Sequence, residues 1–406
     1  MKYNPISQLK NKHKTKEKIF QKMKKYIQEE FQKSYGQPCD KIFFAPARVN
    51  LIGEHIDYNG GLVMPCALEN GTYLAVRKTN DSTFTFKSLN FPESTHQVTI
   101  NHGGYTKNGS LWINYPLGCI DYFTREGAKF SGMEFLFYGN IPNGGGLSSS
   151  ASIELVTSFA LNSLFGLGKD QIELVKISQN VENEFVGVNC GIMDQFAIGM
   201  GKKEHAIILD CQTLDYTYTP FSLKDDTLLI INTNKERKLA DSKYNERRAT
   251  CEAALEIFNK NADFKDLCSI PAEYFEAHKN ELTEEMQKRV KHVIYENLRV
   301  KESEKALKSG NVKRFGELMS ASHKSLMEDY EVTGKELDTI YLESINFDGV
   351  TGVRMTGAGF GGCAIALVKN DRVEAYKKHI TERYTEKIGY APSVYDVSIG
   401  EGTREL

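Results

Sequence analysis

The sequence predicts an α+β protein of two parts that share a cleft. Three observations lead there. Strand-like runs crowd the segment from Lys41 to Thr99. A glycine- and serine-rich loop at 142–151 separates a strand pattern from a helix pattern. Beyond about residue 215 the chain becomes helix-rich and charged, then ends in mixed α and β. With 406 residues, 40 % of them apolar, it can bury substantial cores, and the division is placed at 1–215 and 216–406.

Near the start, Ile19, Phe20, Met23, Tyr26, Ile27 and Phe31 recur every three to four residues among lysines and glutamates. That spacing predicts an amphipathic helix over 16–33, packed on the body rather than lying on a membrane. Ile42–Phe44, Tyr73–Val76 and Thr83–Phe86 read as strands between turns rich in Gly, Asn and Asp, and Glu134–Tyr138 as another. Ser152–Leu164 has helical periodicity, and a second helix is expected around 170–186. In the second part, Leu228–Ile231 reads as a strand and a helix-rich region runs to about 345. Strands follow near Val350–Met355 and Cys363–Val368, with a helix over about 371–385. No internal repeat, low-complexity tract or long linker intervenes, so the two parts should pack closely.

Composition narrows the function classes. A formal charge of −2, with basic residues interleaved among acids, provides no field for nucleic acid. The eight cysteines are scattered without a C-x-x-C pair or a short-spaced Cys/His cluster, so neither a zinc site nor a disulfide framework is expected. No window approaches the roughly 20 apolar residues that span a bilayer, and the N-terminus lacks the apolar core of a secretory signal. A reducing cytoplasm is the expected setting, with no membrane partner.

The densest chemistry lies in 46–65, where a short apolar run delivers Arg48, Glu54, His55 and Asp57 into a tight turn. Carboxylates accept hydrogen bonds from hydroxyls at roughly twice the strength of neutral acceptors, so Glu54 and Asp57 flanking His55 suit a polyol, with Arg48 near for a phosphate. The same residues fit a solvated charged loop or a metal site, and residue chemistry alone leaves all three open. In Pro142–Ala151, glycines before a helix let backbone N–H groups converge on an anion, although a flexible loop has the same composition. No G-x-x-x-x-G-K-[ST] run occurs, so a phosphate site here is not of the Walker type. Gly357–Gly362 matches G-x-G-x-x-G, yet Cys363–Val368 after it reads as a strand, not the helix a dinucleotide fingerprint needs. Asp194 is the one carboxylate of a mostly neutral segment, where a structural cap rivals a catalytic base. Glu182, Tyr244, Trp112 and Tyr115 read equally well as ordinary helix or core residues.

Residues 46–61, Pro-Ala-Arg-Val-Asn-Leu-Ile-Gly-Glu-His-Ile-Asp-Tyr-Asn-Gly-Gly, resemble the N-terminal motif of galactokinases, members of the GHMP kinase superfamily. Pro142–Ala151 and Thr356–Cys363 resemble the second and third superfamily motifs, in the expected order, so the resemblance covers essentially the whole chain. It implies a two-domain GHMP kinase fold, α+β, with a ribosomal protein S5 domain 2-like N-terminal domain and a ferredoxin-like C-terminal domain. The active site would lie between them. It further implies ATP- and Mg2+-dependent phosphorylation of the C1 hydroxyl of α-D-galactose, the step that commits the sugar to catabolism.

On that resemblance Glu54, His55, Ile56, Asp57 and Tyr244 would hold the sugar. Gly144, Gly145, Gly146, Leu147, Ser148, Ser149 and Ser150 would wrap the nucleotide phosphates, and Ser88 would touch the nucleotide beside Trp112 and Tyr115. Ser150 and Glu182 would bind Mg2+. Asp194 would face the anomeric hydroxyl as base or orienting group, with Arg48 holding it ionised and stabilising the γ-phosphate. Two departures show: Ala47 stands where the family usually has glycine, and Arg237 where many members carry histidine. The rivals are a sister kinase acting on N-acetylgalactosamine or arabinose, a non-catalytic galactose sensor, and, more remotely, a nicotinamide oxidoreductase. A single chain is expected to suffice, with oligomerisation left open.

Overall fold

The computed structural model describes the backbone of residues 14–109, 111–142, 145–188, 190–235 and 240–406. In the helices opening at 14 and 240, side chains are described from Phe20 and Lys243 onward. The Ile19 side chain, Gly144 and the departure at Arg237 lie outside the described residues. The strands are β1 (Lys41–Asn50), β2 (Leu62–Val63), β3 (Pro65–Lys78), β4 (Thr83–Ser88), β5 (Phe91–Thr99), β6 (Met133–Gly139), β7 (His205–Asp210), β8 (Tyr216–Pro220), β9 (Asp226–Asn232), β10 (Val350–Thr356), β11 (Cys363–Lys369), β12 (Ser393–Val397) and β13 (Arg404–Glu405).

Six strands form a sheet in the order β13-β1-β3-β6-β4-β5, antiparallel except where β4 meets β6. The unbroken apolar run of β1 reflects burial of both faces. Ile42, Phe44, Tyr73, Ala75 and Leu136 pack under Met23, Ile27 and Phe31 of the amphipathic helix, which spans Lys14–Tyr35. Their strand neighbours Phe43, Ala45, Leu74, Val76, Phe135 and Phe137 enter the main core. There helices Ser149–Phe165 and Met193–Met200 lie on β1 and β3. Alternation along one strand thus feeds two cores.

A second sheet, β10-β11-β9-β12, is antiparallel throughout and has the strand order of a ferredoxin-like unit. Helices Val312–Ser325, Gly334–Ile345 and Val373–Ile388 pack on it. Strands β2, β7 and β8 make a third, smaller sheet.

The structure departs from the sequence reading in three places. The 46–65 stretch is not all turn, because Val49 and Leu51 continue the buried alternation and carry β1 through Arg48 to Asn50. The expected 170–186 helix is α-helical over Gln171–Asn180 and finishes in a π-helical turn, Val181–Val186. The chain after β12 crosses back to the first sheet. There Gly400 N–H donates to the Ala67 carbonyl at 2.8 Å, β13 pairs with β1, and Leu406 N–H donates to the Ile42 carbonyl at 2.9 Å.

Candidate active site

The first motif enters the site from the end of β1. A bulge between Pro46 and Arg48 breaks the register with β3 at buried Ala47, and such bulges re-aim the side chain that follows. Arg48 is 4 % exposed and makes a bidentate pair with Asp194: Nε donates to Oδ1 at 2.7 Å and Nη2 to Oδ2 at 2.7 Å. Its Nη1 donates to the Gly146 carbonyl at 2.8 Å. Three distant segments therefore meet at one guanidinium.

Asp194 sits in the first turn of Met193–Met200 and also accepts a hydrogen bond from the Ser148 hydroxyl. Ser148 is the N-cap of Ser149–Phe165, with a left-handed φ of 60°, and its side chain does not cap that helix. By contrast, Gln171–Asn180 is closed by a full capping box on Asp170. Committing the Ser148 hydroxyl to Asp194 leaves first-turn N–H groups of Ser149–Phe165 available to an anion. His55 and Phe360 likewise have left-handed φ, 62° and 55°, so among the described residues each of the three glycine-bearing motifs holds one strained non-glycine residue.

A cavity of about 330 Å³ opens beside Asp194, lined by Arg48, Glu54, His55, Asp57, Glu182, Tyr244 and the backbone of Gly357 and Ala358 among others. Glu54 Oε1 accepts from Gly357 N–H at 2.8 Å and from Arg354 Nη1 at 3.3 Å. Burial pushes its carboxyl up, and Arg354 first among its neighbours opposes the rise. Among the described residues no cation is paired directly with Asp57, although Arg48 lies in the same cavity wall. Burial, then the charges of Asp194 and Glu54, raise it to about 7. Gly191 abuts it so closely that a Cβ there would lie 2.1 Å from Asp57 Oδ2.

Both ring nitrogens of His55 are committed to protein partners. Nε2 lies 3.2 Å from the Ala358 carbonyl, which can only accept, so Nε2 carries the proton and Nδ1 accepts from Tyr58 at 2.8 Å. Tyr58 then accepts from Tyr330 at 2.9 Å, and Tyr330 accepts from the Cys251 thiol at 3.2 Å. Burial, then His292, push His55 down to about 3, so the ring is neutral and this relay has one direction. Tyr244 closes the cavity wall, its ring 5.6 Å from that of His55 and 5.2 Å from that of Tyr58. Ile56 does not line the cavity: its side chain is buried in the core, and its carbonyl accepts from Asn59 and Gly61 N–H.

A second cavity of about 280 Å³ is lined by Ser88, Asn90, Phe91, Trp112, Tyr115, Phe137, Ser149 and Ser150, together with Thr72, Gly139, Ile141 and Ile153. Trp112 stands edge-on to Phe137 at 5.5 Å and is only half-buried, so one aromatic serves both core and cavity wall. The two cavities adjoin at Ser150, which lines the second, and Glu182, which lines the first. Glu182 lies in the π-helical turn and is 7 % exposed, with Oε2 accepting from Gln195 Nε2 at 2.6 Å. Burial raises its carboxyl, and the Ser150 hydroxyl opposes the rise. Gly145 packs against Cys363 of the third motif, Gly146 offers its carbonyl to Arg48, and the carbonyl of buried Leu147 accepts from Arg48 N–H at 3.4 Å.

Sequence reasoning missed Tyr58, Tyr330, Gly191 and Arg354. Tyr58 lies inside the first motif and Arg354 two residues before the third, so adjacency to the motifs was the available signal.

Comparison with known proteins follows the same outline. Residues 29–78 match the galactokinase galactose-binding signature, 114–202 the GHMP kinase N-terminal domain and 303–385 the GHMP kinase C-terminal domain. A galactokinase of Clostridium tetani is 50 % identical over 94 % of this chain and 97 % of its own. One from Ligilactobacillus salivarius is 46 % identical over 94 % of this chain and 100 % of its own. The crystal structure of Lactococcus lactis galactokinase complexed with galactose superposes with a TM-score of 0.91 at 44 % identity, covering 95 % of this chain and 100 % of that one. A mevalonate kinase structure at 20 % identity, TM-score 0.61, shares the fold. Matched over 94 % of its length at such identity, this chain belongs to the galactokinase family, the ATP-dependent sugar kinases of the GHMP superfamily.

Proposed function

We propose that the chain transfers the γ-phosphoryl group of ATP to the C1 hydroxyl of α-D-galactose, giving galactose 1-phosphate and ADP, as a cytoplasmic enzyme without nucleic-acid or membrane partners. The observation that carries this reading is the convergence of Arg48, Asp194 and Ser148 where a carboxylate-lined cavity meets an aromatic-walled one. Among the described residues no helix is long and apolar enough to cross a membrane. In this reading residues 1–215 carry both cavities' principal walls, and 216–406 supply Tyr244 and the Gly357 loop.

Phosphoryl transfer asks a protein mainly for alignment and charge. Glu54, Asp57 and Tyr244 hold the sugar, and His55, its ring pinned, shapes the wall. Asp194 orients the C1 hydroxyl and takes its proton. Arg48 keeps N–H groups beyond those bonded to Asp194 and Gly146, and these meet the γ-phosphate. Ser150 and Glu182 fit Mg2+: one hydroxyl and one buried carboxylate are hard oxygen donors of the number this ion takes from protein beside phosphates and water. Bound there, Mg2+ would neutralise phosphate charge. Ser88, Trp112 and Tyr115 receive the adenosine, and the N-terminus of Ser149–Phe165 receives the phosphates.

ATP-dependent ADP release tested across galactose, N-acetylgalactosamine, arabinose, glucose and mevalonate, with the phosphate position read by NMR, checks the assignment. Galactose should be preferred, C1 phosphorylated, and activity lost in EDTA. Preference for another sugar would move the specificity, and sugar binding without turnover would indicate a sensor.

Because Asp57 titrates near 7, galactose affinity should fall several-fold as pH drops from about 8 to about 6, since protonation removes a charged acceptor. Calorimetric Kd values should show this dependence, and Asp57→Asn should flatten it. Trp112→Ala should raise the KM for ATP on the order of tenfold, as loss of one stacked base would, while the galactose Kd stays put. A rise in both would make Trp112 a packing residue.

A further inference from the structure

Arg354 lies on β10 with 0 % exposure, yet it is poorly satisfied. Its Nη1 donates to the Asn50 carbonyl at 2.9 Å and to Glu54 Oε1 at 3.3 Å, while Nε and Nη2 have no hydrogen-bond partner among the described residues. Glu296 is the other carboxylate near it, with Oε1 4.0 Å from Nη2. That group is already held by Arg299 Nε at 2.6 Å, Ser322 Oγ at 2.5 Å and Gly53 N–H at 2.9 Å. The charge of Arg354 therefore falls chiefly to Glu54.

A buried guanidinium is expensive, and a well-packed apolar side chain often serves stability as well or better. Two bare nitrogens make this one a poor stabiliser, so its use is to be sought in what it touches. It touches the carboxylate oxygen that Gly357 N–H also binds, and Arg354 and Gly357 lie three residues apart at the end of one strand. Two donors from a single strand end thus grip one oxygen of a carboxylate that lines the cavity.

We propose that Arg354 is a positioning residue for sugar binding, acting through Glu54. It fixes the plane of that carboxylate and keeps it ionised, so that the second oxygen faces a sugar hydroxyl. This rests on the reading of Glu54 as a sugar ligand. The sugar-binding turn and the third glycine motif then share an ionic anchor. Loss of the guanidinium weakens galactose binding while leaving the phosphoryl-transfer step and the nucleotide cavity in place.

The test uses the full chain. Galactose Kd is measured by calorimetry without nucleotide, and kcat and both KM values are measured for wild type, E54Q, R354K, R354M and the double variant E54Q/R354K. R354M should raise galactose Kd and KM at least about tenfold, with kcat at saturating galactose within about threefold and the ATP KM unmoved. R354K should raise Kd at least about threefold in the wild-type background and have no further effect beside E54Q, the signature of coupling between contacting groups. If R354M does not fold, R354K and its double variant decide. Folded R354K and R354M proteins with Kd within about twofold of wild type, beside a weakened E54Q, would overturn the proposal alone. An equal effect of R354K in both backgrounds would also overturn it, assigning Arg354 to the Asn50 carbonyl. An E54Q protein that binds galactose normally would remove the premise as well.

Discussion

Asp194→Ala should cut kcat by a factor of about 10²–10⁴ while galactose Kd changes by less than about fivefold, because the carboxylate acts on a proton that moves only during transfer. Its geometry makes the variant informative in a second way. Arg48 is buried and gives two of its three side-chain hydrogen bonds to Asp194, so the alanine protein keeps an unpaired cation. Asp194 opens to the cavity with 30 % of its side chain exposed, so the loss is smaller than the roughly 3–5 kcal/mol of breaking a fully buried pair, and a modestly lower melting temperature is expected. Asp194→Asn keeps the shape and one acceptor for Arg48 but turns an amide N–H2 toward its other donor, and it should lose comparable turnover. Measured together, ADP release, calorimetry and thermal melting separate the chemical role from the structural one. Near-normal turnover in either folded variant would remove Asp194 from the reaction.

Arg48→Met should lower kcat/KM for ATP by about 10² or more, the magnitude found when a donor aimed at developing charge is lost. The methionine keeps the apolar stem in its place beside the bulge of β1. It abandons the Gly146 carbonyl and leaves Asp194 without its bidentate partner, so the sugar's acceptor and the phosphate loop both lose their tie. Galactose Kd should move less than the ATP-dependent parameters, because Glu54 and Asp57 remain. Steady-state kinetics in both substrates checks this. An unchanged kcat with a lowered melting temperature would make Arg48 a structural strut.

Much of this site was legible because its chemistry sits in consecutive residues. Glu54, His55 and Asp57 are neighbours in one turn, and Gly145 to Ser150 open one helix, so adjacency alone gathered them. Partners were harder to see. Nothing local says that Arg48 chooses Asp194, 146 residues away, or that the Ser148 hydroxyl leaves its own helix for the same carboxylate. His55 reads as a sugar ligand, yet Tyr58 and Ala358 occupy its two nitrogens, a choice fixed by packing across the cleft. The same limit applied to the fold. Apolar periodicity found the two-faced strands and the amphipathic helix. It picked out no separate run for β5, an edge strand with exposed polar residues inside the strand-like segment, and missed the π-helical turn, whose extra residue leaves no mark in the hydrophobic pattern.

The return of the chain to the first sheet bears on how the molecule is made. β13 pairs Arg404 and Glu405 with Phe44 and Phe43 of β1, and the Arg404 guanidinium stacks over Phe20 and Phe44 beneath the amphipathic helix. During synthesis β1 emerges early and its edge partner only after β9 to β12, so the first sheet keeps this edge open until the ferredoxin-like unit has been built. An open edge of buried strand is an invitation to pair with another chain. A fragment ending near residue 215 should therefore aggregate although it contains most of the site. Vectorial synthesis thus makes the second half a prerequisite for finishing the sheet that the first half begins.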